Sequence, residues 1–189
     1  SGVGLPVVIF GRRIPELEPA CVHLDNEAGG RLAVQHLLDR GHRRIAHIAG
    51  PLRFPDARDR LHGYRDALDA AGVPYDGDLV VEGDFREEGG RAAMDRLLDR
   101  TSELDAVFVA NDQMAAGAIR AARDRGLELP HDLSLVGYDD VLLAQYVSPA
   151  LTTVRQPLFD MGRAAGDIAI ALLEQKKVEV RTRFEPELV

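Results

Sequence analysis

A single cysteine, Cys21, stands among 189 residues, which precludes an internal disulfide and fits a reducing compartment. Without a partner sulfur, Cys21 is expected to act as a small buried hydrophobe. No apolar run approaches the ~20 residues that span a bilayer, and no basic-then-apolar leader opens the chain. These absences give the expectation of a cytoplasmic protein. The start at Ser1-Gly2-Val3-Gly4, without Met, leaves room for an upstream portion. Basic charge is also scarce, with 31 acids against 23 bases and a net charge of −8. A surface that grips duplex DNA needs clustered Lys and Arg to displace counterions, so this stretch is not expected to touch DNA itself.

Enzymatic signatures are missing as well. No Gly-x-Gly-x-x-Gly follows a strand, no Gly-Lys-Ser/Thr phosphate loop exists, and neither His-Glu-x-x-His nor a cysteine cluster offers a metal site. The six histidines do not group at ligand spacing. Ser102, Ser134 and Ser148 lack the strand-to-helix turn of a nucleophile elbow. Asp139 and Asp140 are adjacent, so their side chains diverge, and no second acid is placed for hydrolysis. A non-enzyme without cofactor or metal is expected.

What is present is alternation. A composition of 46% hydrophobic and 29% charged residues supplies enough material for a folded domain. Short β-rich runs at Val7 to Phe10, Cys21 to Leu24, Arg44 to Ala49, Leu79 to Glu82, Asp105 to Ala110 and Leu133 to Tyr138 alternate with helical stripes. The stripes carry Leu32, His36 and Leu37; Leu61, Tyr64, Leu68 and Ala71; Met94, Leu97 and Leu98; Ala115, Ile119 and Ala122; and Leu158, Met161, Ala165, Ile168 and Leu172. This βαβ series predicts an α/β fold with doubly wound parallel sheets. Gly41, Gly72 and Gly126 sit where a left-handed residue closes a helix, and Asp84 with Glu87 resembles a capping box.

Two strands run straight into polar pairs, Asn111-Asp112 and Asp139-Asp140. In open parallel sheets ligands sit beyond the carboxyl ends of the strands, so these pairs face the expected crevice.

The runs Gly29-Gly30-Arg31 to Leu38, Gly41-His42-Arg43-Arg44-Ile45 to Pro51, and Arg58 to Leu61 with Gly63-Tyr64 carry a resemblance. So do Asn111-Asp112-Gln113-Met114-Ala115, Gly137-Tyr138-Asp139-Asp140 and Pro149 to Pro157. Taken together in this order, they resemble the lactose/galactose-repressor (LacI/GalR) family of bacterial transcription regulators. The resemblance implies a type I periplasmic-binding-protein-like core of two Rossmann-like subdomains, with a small effector held between them. A helix-turn-helix headpiece, absent from this chain, would read operator DNA as a homodimer. By this comparison, residues 25–155 form a nearly complete carboxyl-terminal, effector-binding subdomain. Residues 1–24 and 156–186 are part of the amino-terminal subdomain, and 187–189 start the final return.

The same resemblance implies the site. Asp139 occupies the position of an acid that holds ligand hydroxyls, its alternative role being to cap the turn near Val141 to Tyr146; Asp140 is expected to take that capping role. Arg60 aligns with an effector-clamping arginine, and Arg58 is expected to be a solvated or intersubdomain charge. Asn111 matches a ligand amide that otherwise caps the next helix. Asp56 either accepts a hydroxyl or caps its helix, Phe85 either stacks on a sugar or base or joins the core, and Gln156 is a further candidate at a crossover. Gly11 replaces a common Asp, while Arg12 and Arg13 are expected to be loop charges. Val141, Leu142, Leu143, Tyr146 and Val147 form an apolar cluster in a region the family uses for subunit contact. A sugar effector is favoured over a purine. The competing reading is a secreted sugar-binding protein of an ABC transporter, which shares the fold.

Overall fold

The computed structural model describes residues 6–18, 20–101 and 103–189. Two compact units are present, one made of 1–25 and 156–186, the other of 26–155 and 187–189.

The first unit holds β1 (Ile9–Phe10), β2 (Cys21–Leu24), α6 (Leu158–Leu173) and β8 (Arg183–Phe184), the strands forming a parallel sheet in the order β1-β2-β8. Strand β1 is shorter than the run from Val7 predicts: only Ile9 and Phe10 pair, opposite Cys21 and Val22. Cys21 is fully buried, as expected of a hydrophobe, with its Sγ 3.5 Å from the Ile14 carbonyl. The buried stripe of α6 is Met161, Ala164 and Ile168. Leu158, expected on that stripe, is instead 49% exposed. Arg13 pairs with Glu18 at 2.7 Å and so is a loop charge, as its sequence context suggests.

The second unit alternates α1 (Asn26–Asp39), β3 (Ile45–Ala49), α2 (Pro55–Ala70), β4 (Val80–Glu82), α3 (Glu87–Arg100), β5 (Ala106–Val109), α4 (Asp112–Asp124), β6 (Ser134–Asp139), α5 (Leu143–Tyr146), β7 (Thr152–Arg155) and β9 (Glu187–Leu188). The sheet order is β4-β3-β5-β6-β7-β9, parallel throughout except for β9, which pairs antiparallel with β7. This is the doubly wound arrangement, with consecutive crossovers on both faces. Because strand side chains alternate, Ala46, Ile48, Val107 and Val109 meet Met94, Leu97, Met114, Ala115 and Ala118 of α3 and α4. The alternate positions His47, Phe108 and Tyr138 lie on the other face, where Tyr64 of α2 stacks on His47 at 5.2 Å.

Small residues let the helices approach closely. A Cβ on Gly63 would collide with the Glu27 carbonyl, and one on Gly117 with the Glu87 carbonyl, so α1–α2 and α3–α4 meet backbone to backbone. Gly41, Gly72 and Gly126 take φ values of +92°, +66° and +81°, closing their helices as the sequence predicts. The expected capping box is replaced by a tighter turn. Asp84 accepts from the Arg86 amide at 2.8 Å, and α3 begins only at Glu87. Glu87 is thus the first helical residue and cannot reach back as the third.

Candidate functional site

The carboxyl ends of β3 to β7 gather most of the predicted polar residues along one edge of the six-stranded sheet. At its centre Arg60, on the buried face of α2, is 5% exposed. Its Nε donates to Asn26 Oδ1 at 2.9 Å, and Nη1 donates to the Ala110 carbonyl. The guanidinium carbon lies 3.7 Å over the Tyr138 ring, and Nη1 stands 3.7 Å from Asp139 Oδ1. Tyr138 completes the cluster by donating its hydroxyl to Asn26 Oδ1 at 3.2 Å. Ring, amide and carbonyl therefore fix the arginine fork from three sides, which removes the rotamer freedom a long side chain otherwise loses on binding. Asn26 is absent from the predicted set; its signal was a polar residue at the start of a helix whose face is otherwise apolar.

Asp139 ends β6 with φ +109°, and Asp140 follows with φ +56°. Neither caps α5, whose N-cap residue is Leu142 with no side-chain cap bond. Asp140, expected to be the cap, instead accepts from Arg155 Nε at 2.6 Å, because β7 lies alongside β6 and brings a cation next to it. Arg155 also reaches Glu187 at 3.6 Å.

Asn111 is the N-cap of α4, its Oδ1 accepting from the Met114 amide at 3.0 Å. Its Nδ2 donates to the Phe85 carbonyl at 3.1 Å. The amide thus caps a helix and holds the loop of Phe85, whose φ is +67°. Phe85 is half-buried with its ring against Gly50, where any Cβ would collide with it, and 6.2 Å from Phe54. That aromatic pair, with Phe54 42% exposed, was legible only for Phe85. Asp56 sits in the first turn of α2, half-buried, behind an N-cap Phe54 and Pro55; it does not cap the helix. Arg58 donates to the Leu52 carbonyl at 2.8 Å and is a surface charge. Gln156 follows β7 directly as the first residue of the other unit's second segment.

Asp112 is buried to 1% exposure, with Oδ1 accepting from Thr153 Oγ1 at 2.6 Å and Oδ2 from the Val141 amide at 3.0 Å. Burial pushes its carboxyl up to about 6. His47 is fully buried, its Nδ1 3.0 Å from the Phe108 carbonyl, and burial lowers it to about 4. Its ring stacks on Phe108 at 4.6 Å, and the residue is structural.

Of the apolar cluster, Leu142 is 64% and Tyr146 77% exposed, with Val141 and Leu143 exposed beside them and Val147 half-buried. No group of His, Cys, Asp and Glu able to hold a metal ion occurs among the described residues. None of the helices among them is long and apolar enough to cross a membrane.

The family model for the periplasmic binding protein-like domain matches residues 34–189. The HTH-type transcriptional regulator GalR of Escherichia coli K12 is 41% identical over 97% of this chain, and that match takes in 54% of the relative. The HTH-type transcriptional regulator CelR of Thermobifida fusca is 44% identical over 98% of the chain and 56% of its own length. The solved structure of a transcriptional regulator CelR-cellobiose complex superposes with a TM-score of 0.89 at 42% identity, over 97% of this chain and 57% of the other. The chain spans about half the length of the curated relatives it matches. It belongs to the periplasmic-binding-protein-like domain family, in the form found in LacI-family transcriptional regulators.

Proposed function

We propose that this chain is the sensing and dimerising core of a cytoplasmic DNA-binding regulator, a repressor, that takes a small sugar at the carboxyl edge of the six-stranded sheet. The observation that carries the reading is the buried Arg60 fork, held by Asn26, Ala110 and Tyr138 and standing 3.7 Å from Asp139. A fixed donor beside a carboxylate acceptor suits vicinal hydroxyls, which donate to one and accept from the other. Phe85 offers a ring to a sugar face, and Asp56, in the first turn of α2, adds a carboxylate acceptor. Asn111 acts by positioning Phe85 as much as by touching ligand. The relatives' names favour a regulator over a secreted transporter component and over an enzyme, and cellobiose in the CelR complex favours a sugar over a purine.

The mechanism is a population shift. The effector prefers one arrangement of the protein and thereby biases how a headpiece, carried by the whole protein in pairs, fits an operator. A ~100-fold preference between arrangements supplies about 2.7 kcal/mol. The test is operator binding by the full-length protein with and without sugar. Asp139→Ala should keep DNA binding and lose the response, and a variant that still responds normally removes Asp139 from the site.

A further inference from the structure

The turn that carries Asp139 is tied down by a carboxylate the family comparison does not single out. Asp112 lies in the first turn of α4, where an acid is favoured by the helix dipole. That preference explains neither its burial to 1% exposure nor the fact that its donors come from other elements, among them Thr153 on β7 and the Val141 amide beyond β6. Gly137 makes room for it, because a Cβ there would collide with Asp112 Oδ1. Thr153 is itself 1% exposed and also receives the Asp140 amide at 3.4 Å. Between these anchors, Asp139 and Asp140 hold successive positive φ values of +109° and +56°. Non-glycine residues there are strained and persist only where the surroundings over-determine them.

We propose that Asp112 is the positioning residue of the Asp139 turn: its two oxygens join α4, β7 and the Val141 backbone, and so fix where the Asp139 carboxylate stands relative to an effector. An apolar residue would fill the same space without desolvation cost, but would leave the Val141 amide and the Thr153 hydroxyl without acceptors. Burial and the nearby Asp139 carboxylate both disfavour the ionised form, against the Thr153, Val141 and Tyr138 donors that favour it. Arg60 and Arg155 are engaged with Asp139 and Asp140 respectively. The effector half of the assignment rests on the function proposed above; the tethering half does not.

Native-state amide exchange of the full-length protein tests it, since local opening is read separately from global unfolding. In Asp112→Ala and in Thr153→Val, exchange at Val141 and Asp140 should quicken by about tenfold or more, the scale of a lost hydrogen bond to a charged group, while amides of β3 and β5 hold their rates. Thr153→Ser, which keeps the hydroxyl that donates to Asp112, and Asp112→Asn, whose oxygen can accept from the Val141 amide while its NH2 donates to Thr153 Oγ1, should stay near wild type. Unchanged exchange at Val141, or equal acceleration throughout the core, overturns the assignment. These rates need no ligand, so a failed sugar screen removes the effector reading and leaves the tether standing, whereas unchanged rates remove the tether alone.

Discussion

The guanidinium carbon of Arg60 stands 3.7 Å above the centre of the Tyr138 ring, placing a cation from α2 over an aromatic side chain from β6. Nη1 of the same guanidinium donates to the Ala110 carbonyl and stands 3.7 Å from Asp139 Oδ1. Replacing Arg60 by Ala would strand the Ala110 carbonyl in a dry place and leave Asn26 Oδ1 with the Tyr138 hydroxyl but without its cationic donor. Such losses cost about 1–3 kcal/mol per group, so urea unfolding of Arg60→Ala should show a drop of roughly 3 kcal/mol. Arg60→Lys should recover only part of it, because an ammonium cannot reproduce the flat stack and the fork together.

Acid should act on two buried groups in opposite directions. His47, at about 4 in the folded protein against an ordinary 6.5, binds its proton more readily when unfolded, so its contribution is complete above pH 6.5 and is lost as pH falls towards 4. Asp112, raised from 3.8 to about 6, binds its proton more readily when folded, so stability from this group is present in acid and is lost as pH rises through that window. Each shift amounts to about 3 kcal/mol. Urea unfolding at pH 4.5 and 6.5 should therefore show that Asp112→Asn becomes more acid-sensitive than wild type, and His47→Asn less so. Parallel pH profiles for all three proteins would contradict both assignments.

Glycines separate by what surrounds them. Gly63→Ala would drive a methyl group into the Glu27 carbonyl, and overpacking of this kind costs typically 1–3 kcal/mol. Gly162, inside α6, has no atom within 4 Å of an added Cβ. Gly162→Ala should therefore stabilise by roughly 0.5–1 kcal/mol, the helix penalty of glycine. Thermal denaturation of the two variants should move in opposite directions.

Much of the fold was legible because its signals are local. The strand–helix alternation and the closures at Gly41, Gly72 and Gly126 depend on neighbours a few residues apart. The site was legible only in part. Arg60 meets Asn26 across 34 residues and Tyr138 meets Asn26 across 112, and no spacing rule reports such pairings. Asp112 and Asn111 read alike as a polar pair after a strand, yet one caps the helix and the other is driven under the 139–141 turn. Asp140 read as a cap because the sequence cannot say that β7 brings Arg155 beside it. Asp84 misled for a smaller reason: Phe85 takes a positive φ, which delays the helix by two residues.

The exposed cluster Val141, Leu142, Leu143 and Tyr146 provides a test of assembly. Leu142→Glu combined with Tyr146→Glu should shift the full-length protein from dimer towards monomer in sedimentation at micromolar concentration, since burying two carboxylates at an apolar contact is strongly unfavourable. A dimer of unchanged strength would move the interface elsewhere on the molecule.

Whether Arg60 and Asp139 hold a sugar is read by a thermal-shift screen of the full-length protein. Cellobiose, monosaccharides, sugar phosphates and nucleobases would be compared on wild type and Asp139→Asn. A ligand at 100 times its Kd stabilises the native state by about 2.7 kcal/mol, a shift of several degrees. A sugar should raise the wild-type melting temperature, and the variant should lose most of the shift. An equal shift in both proteins, or stabilisation by nucleobases alone, would contradict this assignment.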